Sequence, residues 1–524
     1  MIKKFYIEFI ILGSLGALTS LSLPPYNYFI INFLTFSLYF IFLVQKSNLH
    51  KNKKLFFFYG WSFGFGYFVT NLYWISISLT FDESFKFLIP FTIFLIPSFL
   101  SIFYGLICYF FITLKPNKVI SSFLTFSLIF GILEFIRGFI LTGFPWNLIA
   151  YSFSKNLEII SITSIIGTYG FNLFCISLFT SPAVFIFRDS KKDLGIFIFF
   201  IIIFLFFYLN GIHYKEKFYL ASKNIYDYKV RIIGSNISLD KFYSDINPIN
   251  IIEDLIKISS PEANEKTIFV WPEAIIPDIS KEELNEYSWV LKKNFNKNHI
   301  LIIGINSQPN KNQPKEYFNS FSVYDHKLNL LDSYNKINLV PFGEFLPFEK
   351  FLKSFGLKSI TNNYHSFSKG DQRNIIDIRN QNFSLKVLPL ICYEIIYSGK
   401  IFDNNNFDLI INISEDGWFG KSIGPKQHFT HSIFRAIESG KYIVRSSNNG
   451  IAAIINPLGI VEKKVNFGKS GYIDFTESVK IQPTVFSKIG NKIFGLLILL
   501  YIFLIFSISF ILSLKRNNYR FKNK

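Results

Sequence analysis

Hydrophobic positions along the chain follow two different patterns. Up to about residue 211, and again near the C-terminus, they form long runs at about 5–23, 27–45, 55–78, 87–113, 119–141, 157–186, 194–211 and 490–514. A helix crossing a hydrocarbon core of about 30 Å needs roughly 20 such residues. Backbone amides left unpaired in lipid are costly, so each run is expected to be a transmembrane helix, eight in all. Between about Tyr228 and Phe475 the pattern changes. Short β-rich stretches such as "KTIFVWPE", "HILIIGIN", "FSLKVLPLICYE", "FDLIINISE" and "KYIVRSSNNG" alternate with helical patterns such as "EELNEYSWVLKKNF" and "KQHFTHSIFRAIESGK". Continuous apolar runs of four to eight residues indicate strands covered on both faces, and hence an α/β domain of about 250 residues. The expected division is a membrane domain over 1–211 with seven helices, a polar domain over 212–488, and an eighth helix with a basic tail over 489–524.

Composition agrees with that division. Half of the 524 residues are hydrophobic and 66 are Phe. The formal net charge is +18, and its distribution argues against a nucleic-acid groove. Residues 212–488 carry 34 Lys and Arg against 29 Asp and Glu, whereas the hydrophobic remainder carries 20 against 7. If eight helices alternate, sixteen basic residues fall on one side: Lys3, Lys4, Lys46, Lys51, Lys53, Lys54, Lys115, Lys118, Arg188, Lys191, Lys192, Lys515, Arg516, Arg520, Lys522 and Lys524. The positive side is cytoplasmic. Both termini are then cytoplasmic, and 212–488 lies outside the inner membrane. The first run, preceded by "MIKK", also has the form of a signal peptide. Its removal would leave an odd helix count and spoil the charge alternation.

Three cysteines without close spacing give no disulfide framework, and the seven histidines form no metal-ligand cluster. Nothing calls for a metal or an organic cofactor. Within the membrane portion, Glu134 and Arg137 are spaced to share a helix face and pair, followed by a helix-breaking "TGFPW". Ionisable groups at membrane depth usually line a polar interior, which makes this pair a candidate site. The alternative is an Arg137 that simply sits at the interface. The aromatics of "YFVTNLYWISIS", Tyr67 to Ser78, fit either an interfacial belt or a lipid site.

In the polar domain, chemistry-bearing residues gather where strands end. Glu273 follows the "FVWP" strand, Lys336 and Glu344 lie in "YNKINLVPFGEFLPF", and Cys392 ends "LPLIC". Strand ends and the loops after them are usual places for catalytic groups in α/β folds. Singly, each has an ordinary explanation: a helix cap for Glu273, a solvated lysine for Lys336, an inert core thiol for Cys392. Together they supply a base, a positive charge and a nucleophile.

Glu273, Lys336 and Cys392, in "WPEAIIP", "YNKINLVPFGE" and "ICYEI", resemble the Glu–Lys–Cys triad of the carbon–nitrogen hydrolase (nitrilase) superfamily. The longer strings "LVPFGEFLP", "ISEDGWFGKSIGPKQH", "RAIE" and "RSSNNGIAA", with "GFPWN" and "RGFILTG" in the membrane portion, resemble its membrane-bound branch, the apolipoprotein N-acyltransferases. The resemblance covers essentially the whole chain. It implies an α-β-β-α sandwich outside the membrane on an eight-helix base. It implies a two-step reaction in which Cys392 takes an acyl chain from a phospholipid of phosphatidylethanolamine type as a thioester. The chain then passes to the N-terminal amine of a diacylglyceryl-cysteine lipoprotein. By the same resemblance Glu273 is the general base and Lys336 stabilises the oxyanion. Glu344 holds Lys336, and Tyr393 and Glu394 shape the site. The aromatic stretch Pro341 to Gly356 suits a lid lying on lipid, which would keep water from the thioester. Three positions depart from the family pattern: Asn338 where His is common, Phe242 where Trp is expected, and Glu415 where Asn is usual. The nearest rival is a membrane-anchored amidase that hydrolyses a small C–N bond with the same triad. It would need one anchor, not eight helices.

Overall fold

The computed structural model describes residues 2–188, 191–243, 246–277, 279–309, 316–347, 366–401 and 406–522. The chain divides into two compact units. The first comprises 1–73, 88–215 and 489–524, and the second 74–87 and 216–488.

Among the described residues the first unit holds eight helices of 18 residues or more. They are Ile2–Thr19, Ile31–Leu49, Lys53–Leu72, Ile89–Leu114, Val119–Arg137, Thr163–Thr180, Gly195–Leu220 and Lys492–Lys522. Each overlaps one of the eight apolar runs. Four stretches are long and apolar enough to cross a membrane: Glu83–Leu114, Val119–Arg137, Thr163–Phe187 and Gly195–Leu220. Small residues set the closest approaches. A Cβ on Gly16 would lie 1.9 Å from the Phe63 carbonyl oxygen, and one on Gly66 the same distance from that of Gly13. The Ile2–Thr19 and Lys53–Leu72 helices therefore pack backbone to backbone, as membrane helices do where side chains are absent. Asn52 begins the second of these by accepting from the Leu55 amide at 3.3 Å.

Two boundaries differ from the hydrophobic pattern. The apolar run at 55–78 is not one helix. The Lys53–Leu72 helix gives way to a tighter 3₁₀ segment, Tyr73–Thr80, and residues 74–87 belong to the second unit. Trp74 explains the difference: it is buried, stacks edge-on to Phe419 at 4.8 Å, and its indole N–H donates to Gln427 at 3.3 Å. Hydropathy cannot tell an aromatic that meets protein from one that meets lipid. Second, the Gly195–Leu220 helix continues past 211 through His213, Lys215 and Glu216.

The second unit is built on twelve strands, β1 (Lys223–Ser235), β2 (Thr267–Val270), β3 (His299–Ser307), β4 (Phe318–Asp325), β5 (Leu330–Asn335), β6 (Ile376–Arg379), β7 (Ser384–Ile391), β8 (Leu409–Glu415), β9 (Tyr442–Asn448), β10 (Ala452–Ile455), β11 (Val461–Val465) and β12 (Gly471–Val479). The main order is β5-β4-β3-β2-β1-β9-β8-β7-β6, with β10 on β9, β11 on β10 and β12 on β1. Strands β1, β2 and β3 run parallel, as do β9, β8 and β7. The two halves are joined by a short parallel register, Gly234 to Ser447 and Ser235 to Asn448. The sheet curls until its far members β4 and β7 touch. Helices Pro248–Ser259 and Ser288–Asn294 share a core with β1–β4 through Leu255, Leu291, Phe269, Leu301 and Tyr324. Helix Gly424–Ser439 packs on β9 and β10. With helices on one face and sheet on the other, β2, β3, β8 and β9 are buried throughout, the first two as apolar strands and the last two with buried polar residues toward their carboxyl ends.

Candidate active site

Parallel strands that curl together bring their carboxyl ends to one place. Glu273 follows β2, Lys336 follows β5, Cys392 follows β7 and Glu415 ends β8. The Lys336 ammonium donates to Glu273 Oε1 at 3.1 Å and to Glu344 Oε1 at 2.9 Å. Asn319, on β4, bridges the same two carboxylates with its amide, at 2.7 Å to Glu273 and 3.0 Å to Glu344. The remaining oxygens accept from backbone: Glu273 Oε2 from the Glu415 amide at 2.9 Å, Glu344 Oε2 from the Val340 amide at 2.8 Å. Glu273, Lys336 and Glu344 are all buried. Buried charges are tolerated when each is paired and hydrogen-bonded, and these are. Burial alone pushes Lys336 down, but the charges of Glu273 and Glu344 outweigh it and hold the ammonium well above the usual lysine value.

Local backbone is bent to present these groups. Cys392 has φ +47°, Ala274, directly after Glu273, has φ +42°, and Phe342 has φ +63°. Side-chain-bearing residues rarely adopt this region, at a cost of about 1–3 kcal/mol each, and such residues concentrate at functional sites. Cys392 sits where β7 turns sharply into the 3₁₀ segment Cys392–Ile396. Gly304 on β3 makes room for the Glu273 segment, because a Cβ there would lie 2.3 Å from the Pro272 oxygen and 2.5 Å from the Glu273 Cα.

Cys392 is buried and feels both partners. Burial and then the negative charge of Glu273 push the thiol up, against a downward pull from Lys336. At neutral pH the sulfur is therefore a thiol, and it needs a base to become a nucleophile. The arrangement offers a carboxylate, a fixed cation and a sulfur in one buried cluster.

Glu394 faces away from this pocket. One of its oxygens accepts from Tyr334 at 2.6 Å, Arg373 at 2.7 Å and the amides of Ile337 and Asn338 at 3.0 and 3.2 Å. The other accepts from the Ile391 amide at 2.9 Å. It thus ties the segment carrying Lys336 to the turn carrying Cys392. Tyr393 is buried and packs edge-on against Tyr397. Glu134 and Arg137, in the first unit, are both buried and paired with each other. Arg137 also donates to the carbonyls of Phe144 and Asn147, folding the "GFPWN" loop back on its own helix. Of the proposed lid, residues 348–356 lie outside the described residues. Phe342 is half exposed and Leu346 buried.

Other participants carry little sequence signal. Asn319 lies in an ordinary strand pattern. Asp416 accepts from Arg445 at 2.8 and 2.9 Å, from Ser447 at 3.1 Å and from Ser414 at 2.7 Å, and contacts His428 Nδ1 at 2.9 Å. Burial pushes its carboxyl up, but Arg445 and His428 outweigh that and hold it well below the usual carboxylate range. His428 Nε2 lies 3.3 Å from the Cys392 carbonyl oxygen, so this cluster is tied to the Cys392 backbone. The motifs "ISEDGWFGKSIGPKQH" and "RSSNNG" contain these residues, but one sequence cannot show that they meet.

The three departures are each accommodated. Asn338 binds Glu394 through its amide and faces Arg373 at 3.4 Å. Phe242 stacks on Trp418 at 5.5 Å. Glu415 pairs with Lys241 at 3.0 Å.

Comparison with known proteins agrees with this construction. Residues 15–180 match the apolipoprotein N-acyltransferase N-terminal domain, and residues 253–479 match the carbon-nitrogen hydrolase family. The apolipoprotein N-acyltransferase of Rickettsia prowazekii is 34% identical over 514 residues, covering 95% of this chain and 97% of its own. The chain belongs to the apolipoprotein N-acyltransferase family. It is accordingly an acyltransferase built on a nitrilase-like fold. The Rickettsia bellii enzyme of this name is 33% identical over 97% of this chain and 98% of its own. That of Rhodopseudomonas palustris is 29% identical over 94% and 93%.

Proposed function

We propose that this family member transfers an acyl chain from a phospholipid of phosphatidylethanolamine type to the N-terminal amine of a diacylglyceryl-cysteine lipoprotein, through a thioester on Cys392. The observation that carries the reading is the buried Glu273–Lys336–Glu344 array beside a thiol that burial keeps protonated. Glu273 takes the Cys392 proton as sulfur attacks the ester carbonyl carbon. The Lys336 ammonium stabilises the oxyanion. The C–O bond breaks, and Glu273 returns the proton to the departing lysophospholipid oxygen. The lipoprotein amine then attacks the thioester and gives a proton to Glu273. The C–S bond breaks, the sulfur is reprotonated, and an amide is left. Glu344 and Asn319 hold Lys336 and Glu273 in register through both steps.

The eight long helices are proposed to cross a bacterial inner membrane with both termini cytoplasmic and the catalytic portion periplasmic. The sixteen basic residues that share one side support this arrangement. The division into 1–211, 212–488 and 489–524 belongs to the same proposal. A role for the buried Glu134–Arg137 pair in holding the "GFPWN" loop rests on the Phe144 and Asn147 contacts.

The test is acyl transfer from phosphatidylethanolamine to a synthetic diacylated lipopeptide, wild type against Cys392→Ser. The proposal expects an N-acylated product from wild type and none from the variant. Turnover of a small soluble amide with water, and no lipopeptide product, would establish the amidase instead.

A further inference from the structure

Lys241 lies on the 3₁₀ turn Leu239–Phe242 that follows β1, and it is fully buried. Its ammonium donates to Glu415 Oε2 at 3.0 Å, with side-chain exposures of 0% and 1% for the pair. A buried lysine is expensive, so its retention beside a catalytic centre needs a reason. The Glu415 carboxylate is held on every side, by the amide nitrogens of Asn448 at 2.6 Å and Asn449 at 3.3 Å and the Gly417 amide at 3.0 Å. Its own backbone N–H donates to Glu273 Oε2 at 2.9 Å. Lys241 therefore acts on the base by two routes. It fixes the residue whose amide orients Glu273, and it places a positive charge within electrostatic reach of that carboxylate.

Charge balance gives the second route its weight. The charged groups described around Glu273 are the carboxylates of Glu344 and Glu415 and the ammoniums of Lys336 and Lys241. Cys392 is the titrating partner, and Asp416 stands behind it with Arg445 and His428. Lys336 is shared between two carboxylates. Without Lys241, three carboxylates would share a single ammonium, and the uncompensated charge of Glu415 would disfavour the Glu273 anion, the form that accepts the thiol proton. Burial holds Lys241 below the usual lysine value, and the charges of Glu415 and then Glu273 offset only part of that, so the ammonium depends on these carboxylates.

We infer that Lys241 is a positioning residue for the reaction, which holds Glu415 against Glu273 and keeps Glu273 in its proton-accepting form. This rests on Glu273 being the base that activates Cys392. The test reads the rate of Cys392 acylation from phosphatidylethanolamine in detergent micelles, by intact-protein mass, across pH. Removing the positive charge in Lys241→Met disfavours the carboxylate anion, so the acidic limb of the profile should move up by about one pH unit. Removing both charges in K241M/E415Q should bring it back towards wild type. An unmoved limb in Lys241→Met, or a shift that persists in the double variant, overturns the inference. If Lys241→Met does not fold, the double variant, which leaves neither charge unpaired, is compared with Glu415→Gln. The inference then expects the limb of Glu415→Gln to lie below that of the double variant, and equal limbs overturn it. A wild type that never acylates Cys392 contradicts the proposed function itself, which separates the two failures.

Discussion

Cys392 and its neighbours make opposite electrostatic demands on one another. Glu273 raises the thiol and Lys336 lowers it. Neutralising Glu273 therefore makes the thiolate easier to form while removing the group proposed to take its proton in catalysis. In Glu273→Gln, alkylation of Cys392 by iodoacetamide is expected to begin at lower pH than in wild type, while acyl transfer falls by at least about 100-fold. In Lys336→Met, alkylation is expected to begin at higher pH. Alkylation that tracks acyl transfer in both variants would contradict this assignment. A second prediction concerns Glu394, whose side chain is fully buried and balances a nearly buried Arg373. Glu394→Ala strands that guanidinium and should cost about 3–5 kcal/mol, read as a lower thermal midpoint in detergent. Lys223→Ala, which breaks an exposed pair with Glu477, should leave the midpoint unchanged. Glu273 and Cys392 stand out in sequence because each follows an apolar strand run, and Lys336 because it lies in the distinctive string "YNKINLVPFGE". Lys241 is not, because its partner lies 174 positions away and nothing local marks it as buried.

Elements decide how closely these residues meet. Gly304 has no side chain where the Glu273 segment crosses β3. Gly304→Ala should push Glu273 away from Lys336 and Asn319 and lower Cys392 acylation by about 100-fold, since displacements of about 1 Å at reacting groups cost that much. Acylation at the wild-type rate would show that the Pro272–Glu273 segment can yield. Strands β2, β3 and β7 are readable because burial demands runs of apolar residues, whereas β8 and β9 are apolar only where they begin, and end in buried polar residues. Strand β11 is mostly exposed, β6 alternates buried and exposed positions, and neither leaves such a mark. The "EELNEYSWVLKKNF" pattern breaks into a 3₁₀ turn, Leu284–Tyr287, and a short helix, Ser288–Asn294. Residues 74–87 are the clearest case of tertiary context overriding pattern. Their apolar side chains bind protein, with Phe81 edge-on to Trp418 and Ile77 against Gly420.

For the whole molecule, sequence is most informative where the solvent is lipid, because each apolar run must satisfy its own backbone and each loop's charge reports its side. That logic predicts a topology. In spheroplasts, a cysteine placed at the exposed Lys469 should react with a thiol reagent that cannot cross membranes. A cysteine at the exposed Lys54 should react only after permeabilisation. The reverse pattern would contradict the orientation. The meeting of β2, β5, β7 and β8 ends is not legible in this way, since it depends on a sheet that curls upon itself.

The central claim is that Cys392 carries the acyl group between donor and acceptor. Its most direct test is intact-protein mass spectrometry after incubation with phosphatidylethanolamine and no acceptor. The expected result is a mass gain of one acyl chain, absent in Cys392→Ala and removed by hydroxylamine or by a diacylated lipopeptide amine. A wild-type enzyme that forms lipopeptide product without ever showing that adduct, or a Cys392→Ala variant that still does, would contradict it.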